Sequence, residues 1–408
     1  MALAELIRSD GEAPGWLRLP ALVRIVIVYL AARVITTGFF WGAAQLSTVG
    51  SRFGPHPSVG SLLMGWDAQW YWFIAVHGYP TTLPTDDSGA VTQNQWAFMP
   101  VYPYLARLFG GEGAGWQPAA IGISLVAGLL ACIVLYLLLR ERLDQDAATW
   151  AIVFFACAPL AAIFQIGYAE SLFLLWLFLA LWCTQRRRYG WLYPLVLLMA
   201  FTRPGVLAFA LFLALHGVHR WFARHRERLR AGEVVHIVAL GLLSAAAGFA
   251  WPVIAGLATG VPDAYMQTEL SWRRGWIAGD GGFAPFEAFW QAAGFWFRTW
   301  GLGEVTGFIA LIVVVVALAL VLVFGPRVRR LGPEIRLWSA SYLMYLMAVF
   351  FPQSSVFRLL VPLSPLWGAA AVPRSRAWRF GVLAGCLAGQ WWWIYNMYGL
   401  GYTYWQIP

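Results

Sequence analysis

Leu63-Met-Gly-Trp-Asp-Ala-Gln-Trp-Tyr-Trp-Phe-Ile-Ala-Val-His-Gly-Tyr-Pro80 places one carboxylate, Asp67, among three tryptophans and a tyrosine within seven residues. At 3.6 residues per turn, Trp66, Trp70 and Phe73 share one side, Asp67, Tyr71 and Ile74 line the next, and Gly78-Tyr-Pro80 ends the run. The spacing predicts a short helix at a membrane interface, the depth that tryptophan and tyrosine rings favour. A carboxylate held against apolar surface loses hydration, which raises its affinity for a proton and suits it to proton transfer. An acid at this position is equally able to cap the helix start. The residues alone leave both readings open.

The rest of the chain explains why an interface is at hand. Of 408 residues, 60% are hydrophobic, 17% aromatic and only 12% charged. That leaves too little polar surface to cover a soluble core, so the composition is that of a polytopic membrane protein. All 28 basic residues are arginines, and most cluster in short segments between apolar runs. This pattern orients a chain in a bilayer and argues against a nucleic-acid partner. Cys132, Cys157, Cys183 and Cys386 all fall inside apolar runs without metal-ligand spacing, and are read as packing residues.

The expected fold is all-α, with about 11 transmembrane or partly spanning helices in a single domain covering 1–408. Spans are expected near 21–46, 118–139, 147–163, 169–184, 233–257, 302–325, 337–351, 358–373 and 379–397. The block 190–219 is interrupted by Thr202-Arg-Pro-Gly205 and divides into two short helices meeting at Arg203. Non-helical backbone at membrane depth survives only where protein or a water-filled cavity surrounds it, so Arg203 is placed in an outward-open cavity. Two segments, 47–117 and 258–301, lack a long apolar run and are assigned to the outside. They carry interfacial aromatics together with Asp86, Asp87, Asp263, Glu269, Arg273, Arg274, Asp280 and Arg298. Twenty arginines, Arg8 among them, then fall on inner segments and seven on outer ones, with Arg33 inside the first span. A bias this large fixes the orientation by the positive-inside rule.

Three polar residues on the outer side call for a reason. Glu170 opens a span within Gln165-Ile-Gly-Tyr-Ala-Glu-Ser171, where an acid also favours the helix dipole. Arg358 follows Pro352-Gln-Ser-Ser-Val-Phe at the mouth of another span. Charges at membrane depth are costly and are kept for a partner, so Arg203 and Arg358 together suggest an anion site, with phosphate suited to the guanidinium fork. The pair Asp144-Gln-Asp146 sits in a short inner loop beside arginines and is read as helix capping. His77 and His216 stand in no ligand constellation. No metal site and no cofactor are expected, and activity at this site is expected to survive chelation.

Trp66-Asp67-Ala68, Ile74-Ala75 and Gly78-Tyr79, followed by Phe98-Met-Pro-Val-Tyr-Pro-Tyr-Leu-Ala-Arg107, resemble the first-loop signature of the PIG-V family of mannosyltransferases, members of the GT-C class. Tyr168-Ala-Glu-Ser-Leu-Phe173, Thr202-Arg-Pro-Gly205 and Arg358-Leu-Leu-Val-Pro362 are similar to later family blocks in the same order. Where the family tends to have Ser-Arg-Ser, this chain has Thr-Arg-Pro. The resemblance implies a polyprenyl-phosphate-mannose donor, a glycolipid or glycan acceptor, surrounding membrane lipids as partners, and Asp67 as the base. Arg203, Arg358, Glu170, Tyr168 and His77 are the residues assigned to substrate and donor-phosphate binding. An outward-facing transferase has no nucleotide-sugar pool, so a lipid must bring its donor across. Rival readings are transfer of another polyprenyl-phosphate sugar, such as arabinose or glucose, and transport of a lipid or sugar-lipid.

Overall fold

The computed structural model describes residues 6–7, 15–274, 282–402 and 407–408. Arg8 and Asp280 lie outside them. The described chain is helical, with one isolated bridge between Thr85 and Val91 and no strand. Helix α1 (Ala21–Leu46) leads into a first non-spanning segment carrying α2 (Val59–Leu63), α3 (Asp67–His77) and α4 (Val101–Gly110). There follow α5 (Trp116–Arg140), α6 (Gln145–Ala156), α7 (Glu170–Gln185), α8 (Leu192–Ala200), α9 (Val206–Ala223) and α10 (Ala231–Thr259). A second such segment holds α11 (Ala264–Ser271) and α12 (Glu287–Thr299). The chain then forms α13 (Glu304–Phe324), α14 (Pro326–Arg329), α15 (Pro333–Val349), α16 (Val356–Leu359), α17 (Trp367–Ala371) and α18 (Arg376–Ile394).

Five described helices, α1, α5, α9, α10 and α13, are long and apolar enough to cross a membrane. Three of the other expected spans are shorter. At 1.5 Å per residue, α6, α7 and α15, with 12, 16 and 17 residues, reach roughly 18–26 Å, short of an apolar layer of about 30 Å. The expected span at 147–163 breaks because Pro159 cannot continue α6, and the chain resumes as a 3₁₀ turn at Ala161–Phe164. Arg33, buried in α1, satisfies this break: its guanidinium donates to the Ala156 carbonyl at 2.6 Å and to the Ala161 carbonyl at 2.5 Å. The expected span at 358–373 is likewise α16, a Pro-containing 3₁₀ turn at Val361–Leu366, and α17.

The core lies between α5, α7, α8, α9 and α15, where Leu135, Leu138, Phe178, Leu181, Phe209 and Trp338 have essentially no exposure. By contrast α13 exposes Val305, Ile309, Val313, Val316 and Phe324, an apolar surface suited to lipid. All four cysteines are buried and free. Each of the 12 ion pairs among the described residues joins two groups that the sequence assigns to the same side of the bilayer. Arg186–Glu141, Arg220–Glu233, Arg374–Asp144 and Arg379–Asp146 gather at one end, and Arg358–Asp67, Arg203–Glu170 and Arg107–Glu112 at the other.

Candidate active site

Helix α3 begins at Asp67 because Trp66 turns the chain with φ of 57°, a left-handed conformation that a bulky residue adopts only under constraint. The constraint is visible. The Trp66 indole donates to the Met397 carbonyl at 2.9 Å, Phe53 meets its ring edge-on, and the Arg52 guanidinium lies 4.1 Å from its ring centre. Burial of Ala68, Tyr71, Ile74 and Ala75 holds the helix against α4, with Tyr71 edge-on to Tyr102 and Phe98.

Asp67 does not cap α3, since no side chain caps that helix start. Its carboxylate instead pairs with the Arg358 guanidinium. The same Arg358 nitrogen donates to Glu170 Oε1 at 2.9 Å, and that oxygen also receives Arg203. Four charged residues, separated by up to 291 positions, thus form one chain: Asp67, Arg358, Glu170, Arg203. Each comes from a helix end or break. Asp67 and Glu170 open α3 and α7, Arg203 sits in the interruption between α8 and α9, and Arg358 lies on the single turn of α16. Glu170 has 4% of its side chain exposed and Asp67 21%, so Asp67 is the more accessible of the two carboxylates.

Two sequence-based expectations change here. Asp67 faces a guanidinium rather than apolar surface, and Arg203 and Arg358 do not stand open as an anion site, because Glu170 and Asp67 together already pair with them. The cavity bordered by Glu170, Arg203, Tyr342 and Arg358 measures about 10 Å³, room for roughly one water and too little for a phosphate. Arg358 Nε and Glu170 Oε2 are buried without a hydrogen-bond partner, which leaves the pair with unused bonding capacity.

Tyr168 joins the cluster. It is fully buried, its ring lies 5.2 Å from the Arg358 guanidinium carbon, and its hydroxyl meets the Asp67 amide at 3.4 Å and the Tyr398 hydroxyl at 3.3 Å. His77 is not brought in. It is the last residue of α3, exposed, with its ring 4.5 Å from Phe73, and ten residues of helix separate it from Asp67 by about 15 Å. Asp144 caps α6 as expected, accepting from the Ala147 amide at 2.8 Å. Among the described residues, no group of three or more His, Cys, Asp or Glu side chains is placed to hold a metal ion.

Sequence reasoning counted Glu269 among the outer charges without assigning it to the site. It lies on α11, beside Trp272, which meets Trp70 of α3 at 6.2 Å. Burial pushes its carboxyl up to about 7; a hydrogen bond from Tyr265 opposes this and the Asp67 charge adds to it. Unlike Asp67 and Glu170, Glu269 has no arginine partner among the described residues. The aromatic character shared by the two non-spanning segments was the available signal, since it pairs them across the site.

No family model matches this sequence, and no curated protein matches it. Among solved structures it is similar to the archaeal oligosaccharyltransferase AglB from Archaeoglobus fulgidus in complex with an inhibitory peptide and a dolichol-phosphate. The TM-score is 0.43 at 13% identity, covering 91% of this chain and 56% of that one. A second similar structure is the Archaeoglobus fulgidus oligosaccharyltransferase tethered with an acceptor peptide containing the NVT sequon, with TM-score 0.40, 13% identity, and coverage of 93% and 56%. The chain spans a little over half the length of these proteins, and likenesses this distant carry no argument about its activity.

Proposed function

We propose that the chain is an integral-membrane glycosyltransferase of the GT-C type that moves mannose from a polyprenyl-phosphate donor to a glycolipid or glycan acceptor on the extracytoplasmic face. The observation that carries this reading is the convergence of Asp67, Glu170, Arg203 and Arg358, from four helix ends, at one outward-assigned pole. The resemblance of the same blocks to the PIG-V family supports it. In a single displacement, the acceptor oxygen bonds to the sugar C1 as the C1–O bond to phosphate breaks. The bonding pair leaves with the lipid phosphate, and Asp67 takes the acceptor proton, giving inversion.

The ion pairs suggest how Asp67 is released for that role. Glu170 has two arginine partners and Asp67 one. A donor phosphate approaching from the more exposed Asp67 side is positioned to take over Arg358, and Glu170 then keeps Arg203, so no buried carboxylate is stranded. Asp67 loses its counter-ion only when the donor is in place. The departing phosphate keeps the guanidinium that stabilises its charge. Tyr168 backs Arg358 from beneath.

The test uses protein purified in detergent, with a glycolipid extract as acceptor source and polyprenyl-phosphate mannose, arabinose and glucose as separate donors. Release of polyprenyl phosphate from the mannose donor, with sugar recovered on an acceptor, is the expected result. Release from another donor alone reassigns the sugar. No release from any donor contradicts the transferase and favours a transporter.

A further inference from the structure

A second cavity lies at the opposite pole, beyond the nine-residue length of α8 from Arg203, and it has no part in the proposed transfer. It measures about 620 Å³, and its lining includes Arg187, Arg188, Trp191, Arg230, Glu233 and His236. Its charge is not cancelled from within. Glu233 is held by Arg220 at 2.7 Å and Arg187 by Glu227, whereas Arg188 and Arg230 have no carboxylate partner among the described residues. Arg230 immediately precedes α10, and no side chain caps that helix start, so first-turn amides stand where Gly232 borders the cavity. Trp191 of the lining is 67% exposed, and Val235, next to the lining residue His236 on α10, is 65% exposed.

We infer that this cavity is a binding site for the phosphate headgroup of an anionic phospholipid from the arginine-rich leaflet. Arg188 and Arg230 supply forked donors to the phosphate oxygens, and the start of α10 adds amides and the positive end of its dipole. Trp191 and Val235 lie where an acyl chain leaves the headgroup for the bilayer. The exposed apolar side chains of Trp191 and Val235 are what select a lipid over free phosphate. His236 adds a hydrogen-bonding wall, its Nδ1 sharing a 3.1 Å hydrogen bond with the Tyr193 hydroxyl.

Thermal unfolding of the purified full chain, titrated with dihexanoyl-phosphatidylglycerol, dihexanoyl-phosphatidylcholine or inorganic phosphate, tests this. The phosphatidylglycerol analogue is expected to raise the melting temperature saturably, the choline analogue to have little effect, and inorganic phosphate to bind more weakly. A variant carrying Arg188→Gln and Arg230→Gln should weaken the apparent affinity for the anionic lipid roughly thirty-fold. Arg226→Gln, an exposed arginine of the same loop that does not line the cavity, should leave it unchanged. Equal shifts with both lipids, an inorganic phosphate response as strong as the lipid's, or equal weakening by Arg226→Gln would each overturn the assignment.

Discussion

Glu170 holds the electrostatics of the cluster together, because a single oxygen receives both Arg203 and Arg358 in a nearly dry setting. Glu170→Gln leaves two buried guanidiniums with one carboxylate between them, and that carboxylate is the more exposed Asp67. Breaking a buried pair in this way typically costs about 3–5 kcal/mol, so the variant should show a markedly lower melting temperature. Asp67→Asn should not, since Glu170 retains Arg358. Equal melting temperatures for Glu170→Gln and wild type would show that the cluster does not hold these helices.

Glu269 gives the site a pH dependence of known sign. Its carboxyl binds a proton more tightly folded, up to about 7, than in the reference state at 4.5. The stability this contributes is full below about 4.5 and is lost as pH rises through 7. Tyr265 and Asp67 are the titratable groups that act on it. Glu269→Gln, which stays neutral, should flatten the decline in melting temperature between pH 5 and 8 relative to wild type. Superimposable profiles would mean that Glu269 is ionised across the range.

Helix breaks do more of the positioning than helices do. Pro204-Gly205 separates α8 from α9, and Gly205 takes φ of 136°, a conformation that side-chain-bearing residues avoid. A Cβ there would meet the Phe173 and Tyr342 rings at 3.6 and 3.7 Å, ordinary contacts, so the penalty of Gly205→Ala is in the backbone, about 1–3 kcal/mol. Arg203 lies two residues away, and transfer should fall beyond what the lost stability explains. Gly241→Ala, inside α10 with open space around its Cβ, should be neutral or stabilising by about 0.5–1 kcal/mol. If Gly205→Ala matches Gly241→Ala in stability and turnover, the break does not position Arg203. These breaks were legible because proline and glycine act locally: Thr202-Arg-Pro-Gly205 marked the division at 190–219. Pro159 carried the same signal, yet hydropathy runs across it, and the expected span at 147–163 is a short helix with Arg33 completing its end.

Across the whole molecule, the arginine bias and the apolar runs located α1, α5, α10 and α13 nearly to the residue, because crossing a bilayer demands length and apolarity together. Partners were not legible in that way. Nothing in sequence spacing relates position 67 to position 358, so Arg203 and Arg358 looked like open anion binders when each already faces Glu170. Asp67 emerged from its aromatic surroundings, whereas Glu269 needed the two non-spanning segments to be brought together. The central claim is that Asp67 takes a proton during transfer from a lipid phosphate. Asp67→Asn keeps the size of the side chain and cannot act as a base, and it separates catalysis from architecture because Glu170 maintains the remaining ion pairs. The decisive measurement is turnover of polyprenyl-phosphate mannose by the purified variant beside wild type, with donor affinity and melting temperature followed in parallel. A loss of about 10²–10⁴-fold in turnover, with affinity and melting temperature retained, is the predicted result; turnover near that of wild type would contradict the account.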